Sequence, residues 1–320
     1  MIKTTHIFQM LEVGKIKIGM KGETRKSAKG SDYKLPVKLD HFIVTTTEKG
    51  ADGNFLLDTA VMKKLGDKPT EIPIKLPFDD IDLNFFTQYQ YYHGKKAVCK
   101  GSGVRADRIT KEGKIRIQCD PETCEYSVDK KCKVSGVLSC MLPDSPDLGG
   151  IYRFRTHGWN SVTGILASLM FFQENTNGVL QGLPMKLKFL KKNTEEHGAV
   201  PVVTIVLDGV EIQKFRQLAH DEAQSRKNLG VDMEQIEYRA ELSGFTEDKD
   251  DPADIQAEFY PEPEIKDVTP PKGVSSDDLA DKLQTKASEP PPPSEEQEKT
   301  PVNTGNNTPE QSEPKEEPVI

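Results

Sequence analysis

Basic and apolar residues alternate at positions 15–19 (Lys-Ile-Lys-Ile-Gly), which predicts a half-exposed strand followed by a Gly/Ser-punctuated loop through Ser31. A β-branched and aromatic run at 35–47 predicts a second strand, and 71–76 and 84–93 predict two more, the latter with alternating aromatics. Between them, 58–65 has the pattern of a short helix with Asp58 or Thr59 as its cap and Gly66 closing it. Asp79, Asp80 and Asp82 fall in an expected turn. Short β-like segments follow at 115–119 and 136–142, then a clean alternation at 151–156.

Asn160 or Ser161 is expected to cap a helix over 161–174. Its apolar positions Val162, Ile165, Leu166, Leu169, Met170 and Phe172 cover most of the circumference, so it should be buried. Strands are predicted at 183–190 and 200–207, the second apolar enough to be central. An amphipathic helix over about 210–228 should end at Gly230. The pattern is α+β, mainly antiparallel sheet with a few helices.

Charge divides the chain. Residues 246–320 hold 20 acidic against 7 basic residues and 13 of the 22 prolines, with Phe259 and Tyr260 as their only aromatics. Such a segment buries too little apolar surface to offset the entropy of ordering it, so 246–320 is expected to be a disordered acidic tail. Residues 1–245 then carry 36 basic and 31 acidic residues and form the globular body. No apolar run is long enough to span a bilayer, and the first residues lack the apolar core of a signal peptide. A reducing cytosol is the expected compartment, where disulfides do not persist.

There, four cysteines spaced Cys99-x19-Cys119-x4-Cys124-x7-Cys132 in a polar, turn-rich stretch suggest one structural zinc ion, within a zinc-binding insertion spanning 97–142. Four thiolates would fill a tetrahedral shell and leave no position for catalysis. Lys100, Lys130, Lys131 and Lys133 would offset the charge of the thiolates. Cys140, inside an apolar strand, is expected to be a core residue.

The order of local motifs is distinctive. Lys34-Leu35-Pro36 and Asp40-His41-Phe42 precede Cys99-Lys-Gly-Ser-Gly with Ala106 and Arg108; then come Cys119, Cys124 and Cys132-Lys-Val-Ser-Gly-Val-Leu. Leu142-Pro143, Gly149-Gly-Ile-Tyr-Arg-Phe-Arg-Thr156 and Trp159-Asn-Ser161 complete it. Over about residues 14–210 this resembles the phage family of large recombination directionality factor-like proteins, whose named members act beside serine integrases. The resemblance implies a non-enzymatic phage accessory protein in the host bacterial cytosol. It would bind the integrase and switch it from integration to excision, without itself being the recombinase. The acidic tail lies outside the pattern.

Two further readings come from the residues alone. Lys15, Lys17, Lys21, Arg25, Lys26 and Lys29 form a basic arm that could touch DNA phosphates. With Tyr89, Tyr91 and Tyr92 as stacking faces, that arm would suit a nonspecific or single-strand DNA-binding accessory protein. For those tyrosines, packing in the core is the simpler reading. As the enzyme-class alternative, Asp79 and Asp82 or His157 would serve a metal-dependent hydrolase, but no phosphate-loop, HExxH or GxSxG motif accompanies them. His220, Asp221 and Glu222 are expected on the solvent side of the last helix.

Overall fold

Strand β1 (Glu12–Lys26) opens a computed structural model that describes residues 10–26, 32–93, 96–129, 131–143, 145, 149–194, 198–247 and 250–259. It pairs antiparallel with β2 (Asp32–Lys49) and parallel with β10 (Ile151–Thr156). Beyond β2 lies β3 (Phe55–Leu57); beyond β10 come β9 (Lys133–Cys140), β5 (Phe85–His93), β6 (Lys96–Gly101), β7 (Arg105–Thr110) and β8 (Gly113–Gln118), giving a sheet of nine described strands. A second sheet has the order β12 (Gly198–Leu207), β11 (Met185–Thr194), β4 (Glu71–Ile74). The architecture is α+β, and among the described strands the pairing is antiparallel except between β1 and β10.

Helix α1 (Thr59–Leu65) begins as the sequence predicts: the Asp58 carboxylate accepts from the Val61 amide at 3.0 Å. A short helix α2 (Ile81–Asn84) replaces the expected turn, capped by Asp80. Helix α3 (Glu125–Val128) sits between Cys124 and Cys132. Helix α4 (Trp159–Asn175) starts earlier than expected, with Gly158 in place of Asn160 or Ser161 as its cap. Ser161 instead accepts from the Val203 amide at 3.0 Å, which ties α4 to β12. Nor is α4 buried all round: Trp159, Met170 and Phe171 are more than half exposed. The chain continues through α5 (Ile212–Leu229), α6 (Met233–Leu242) and α7 (Pro252–Phe259).

The two sheets meet at Phe42 of β2. Its ring packs edge-on against Phe154 of β10 and Phe189 of β11, at 6.2 and 6.1 Å between centroids. Ile16, Phe85, Leu138, Tyr152, Ile165, Leu187 and Ile205 fill the same core. A Cβ at Gly136 of β9 would stand 2.4 Å from the Phe85 ring, so only glycine lets β9, Phe85 and α4 close together here. Strand β12 is apolar yet lies at the edge of its sheet, not at its centre. Its apolar character answers to α4, which covers it, and Pro201 suits an edge because it donates no ladder hydrogen bond.

Two boundaries differ from expectation. The loop expected after Gly19 is strand as far as Lys26, because β1 and β2 continue as a hairpin arm. Residues 250–259, assigned by composition to the acidic tail, include α7, whose Ile255 is 2% exposed. Of the rest of that tail, residues 248–249 and 260–320 lie outside the described residues.

Candidate metal centre

The meander β6–β7–β8 supplies the site. It is not an insertion beside the fold but the continuation of the nine-stranded sheet past β5. In β6, Cys99 pairs with Tyr91 of β5 on one side and Arg108 of β7 on the other. Cys119 leaves β8, its amide donating to the Val104 carbonyl at 2.9 Å. Cys124 begins α3, and Cys132 donates its amide to the Tyr126 carbonyl at 2.7 Å just before β9.

These four thiols line one cavity together with Tyr89, Arg108 and Tyr126. All four are free thiols. Gly101 makes room, since a Cβ there would lie 2.9 Å from Cys119 Sγ. Cys140 lies elsewhere, fully buried in the main core with its thiol 3.7 Å from the Tyr152 carbonyl.

Burial and crowding raise the cost of ionising two of these thiols, Cys99 and Cys132. Burial first, and then the three neighbouring cysteines, push the Cys132 thiol up to about 12. Burial also raises Cys99, with Arg108 opposing it. Arg108 is the cation that faces the cavity: Nη2 lies 3.5 Å from Cys124 Sγ, the guanidinium covers the Tyr126 ring at 4.3 Å, and Nη1 pairs with Glu125 at 3.0 Å. Two of the lysines expected to play this part are engaged elsewhere. Lys131 pairs with Asp129 at 2.8 Å, Lys133 donates to the Phe259 carbonyl at 2.8 Å, and Lys130 lies outside the described residues. Among the described residues, no three His, Cys, Asp or Glu side chains converge on a common point for an ion in this arrangement.

The family described as recombination directionality factor-like matches residues 13–209. The chain belongs to that family. The matched span runs from β1 through β12, so it includes the four-cysteine cavity and α4, while α5, α6 and α7 lie outside it. No curated protein matches the sequence. Among the described residues, no helix is long and apolar enough to cross a membrane.

The other candidate residues are structural in what they touch. Asp79 binds Arg226 of α5 and accepts from the amides of Leu180 and Gln181 at 2.7 and 2.8 Å; Asp80 caps α2; Asp82 is exposed. They diverge, and the hydrolase reading loses its carboxylate pair. His157 stacks on Phe259 at 4.2 Å, and burial, then Arg155 and Lys133, hold its imidazole well below the usual range, hence neutral near pH 7. Tyr92 is buried, Tyr89 lines the thiol cavity and Tyr91 packs on Tyr126, so the aromatic strand faces protein.

The basic arm is divided. Lys15 and Lys17 are not free for phosphate: Lys15 pairs with Glu12 and Asp250, and Lys17 with Glu258. Lys21, Arg25 and Lys26 belong to β1, their side chains outside the described set, and Lys29 lies outside the described residues. Arg108 and the partners of Lys15 are what the sequence reading missed. The signal for the first was the shared face of Ala106 and Arg108 in β7, which appears only once the meander is recognised.

Proposed function

We propose that this protein is a non-enzymatic phage accessory factor that binds a serine integrase and biases it toward excision, with a zinc ion stapling the β6–β9 region. The family match over residues 13–209 is the observation that carries this reading. Zinc is supported by the chemistry of the donor set. Four thiols of four different loops and strands share one cavity, and their mutual repulsion on ionising is what a divalent cation relieves. The ion would fix the loops between β8 and β9 and perform no chemistry.

The partner-binding surface we assign is the outward face of α4, within the matched span. Trp159, Ala167, Met170 and Phe171 lie exposed there, an unusual concentration of apolar surface on one helix. Capture of the cognate integrase by the tagged full chain, with and without its DNA sites, tests the reading, alongside an excision assay. The wild-type chain is expected to capture integrase and promote excision, and a Trp159→Ala/Phe171→Ser variant to lose both while keeping its circular dichroism. Absence of capture by the wild-type chain would sink the integrase reading.

A further inference from the structure

Parallel pairing of β1 with β10 places cations side by side. Lys15 lies opposite Arg153, and Lys17 and Arg155 line the same cavity. Their neighbours in register, Ile16 and Phe154, point into the core, so the cations share the opposite face. Lys49 of β2 and Lys133 of β9 flank them. Phe55 lies beneath three of the group, its ring centroid 5.3 Å from Lys15 Nζ, 5.2 Å from Lys17 Nζ and 5.5 Å from Lys49 Nζ. Like charges directly adjacent on a sheet repel. Glu12, 2.8 Å from Lys15 and 3.3 Å from Arg153, cannot balance them alone.

The counter-charge comes from the C-terminal segment. Asp250 binds Lys15 and, at 2.9 Å, Arg155; Asp254 binds Lys49 at 2.6 Å; Glu258 binds Lys17. The three carboxylates recur every four residues; Asp250 precedes α7, and within the helix Asp254 and Glu258 stand about 6 Å apart along the axis. At the end of the row Phe259 lays its ring on His157, 4.2 Å between centroids and 27° from parallel. A regular row of single anions ending in a stacked ring has the form of a single-stranded nucleic acid, backbone phosphates on cations and a base on an aromatic face. An acidic peptide would match the charges but does not require the stacking position.

We propose that this cationic face is a nucleic-acid backbone site held shut by α7, a strap that occupies it in place of phosphate. The strap lies beyond the family-matched span, so the inference does not rest on the integrase reading. Opening would expose Lys15, Lys17, Lys49, Lys133 and Arg155 around Phe55 and His157.

The test uses the full chain with Asp250→Asn, Asp254→Asn and Glu258→Gln combined, and fluorescence anisotropy of a labelled oligothymidylate at low salt. The triple variant is expected to bind at least about tenfold more tightly than wild type. Adding Lys17→Ala should weaken that binding and reduce the salt slope by about 1. If the triple variant folds poorly, Glu258→Gln alone, which frees only Lys17, should still show a smaller gain. No gain in either variant, or a gain that Lys17→Ala leaves intact, overturns the proposal. Binding of polyglutamate but not oligothymidylate would also overturn it and assign the face to an acidic protein segment.

Discussion

Arg226 of α5 closes on Asp79, its Nη1 2.5 Å from the carboxylate Oδ2, and so anchors the last long helix to the segment before α2. The pair is mostly covered, with the side chains 10% and 19% exposed. Burial alone would lower the arginine's proton affinity, but Asp79 and Glu222 reverse that and raise it. Glu237 of α6 completes the junction by accepting from the amides of Asp79 and Asp80 at 2.7 and 2.9 Å. Asp79→Ala strands a covered guanidinium and is expected to cost about 3 kcal/mol in urea unfolding. A double cycle with Arg226→Ala should return a coupling of about 1–2 kcal/mol. A metal-binding Asp79 would instead show an unchanged unfolding midpoint in metal-free buffer.

Gly136 is a close-approach point of the main core. Gly136→Ala drives a methyl into the Phe85 ring, with Val162 behind it at 3.3 Å. Overpacking of this kind is expected to lower stability by about 1–3 kcal/mol. Phe85→Leu in the same chain should recover part of the loss, and thermal unfolding of the three variants checks it.

What the sequence disclosed follows from how local each signal is. The cap at Asp58 and the strands at β2, β5 and β10 are written in adjacent residues, and they were legible. The four cavity cysteines were legible for the same reason, because polar turns surround them while Cys140 sits among apolar neighbours. Strands β6 and β7 were not. Strand β8 was read only in part, since five of its six residues are exposed and it has no core face to impose an alternation. Lys15 and Lys17 were read as free because their partners lie 235 and 241 residues away. The acidic residues that hold them look like the rest of the tail. Only Ile255 and Phe259, spaced by one helical turn, marked the segment as one that packs.

Acid should loosen the strap before it unfolds the rest. Burial by itself would raise the Asp250 carboxyl, but Lys15 and Arg155 outweigh it and hold the group down at about 2. Its folded-state pKa is therefore depressed. The stability it contributes is fully present above the unfolded carboxylate value near 3.8 and is lost as pH falls through about 2. The loss amounts to about 2 kcal/mol. Calorimetric Tm measured between those limits should fall in the wild-type chain, and Asp250→Asn should flatten that part of the profile. An identical slope in the variant would mean that other carboxylates set the acid limit.

Metal content is the decisive measurement for the cysteines. Elemental analysis of the purified chain is expected to give one zinc per molecule. Cys99→Ser, Cys119→Ser, Cys124→Ser and Cys132→Ser should each lose it, because a structural tetrahedral site tolerates no missing thiolate well. Cys140→Ser should keep the zinc yet lose about 1–2 kcal/mol, since it places a hydroxyl in a fully buried apolar position. Chelation should lower the Tm of the wild-type chain by several degrees and leave the four ligand variants unchanged, because metal binding and local folding are one equilibrium. Gly101→Val gives an independent check. It crowds Cys119 Sγ without removing any thiol, so it should weaken zinc retention against a chelator while the cysteine count stays at five. Retention equal to wild type in Gly101→Val would place the ion outside this cavity.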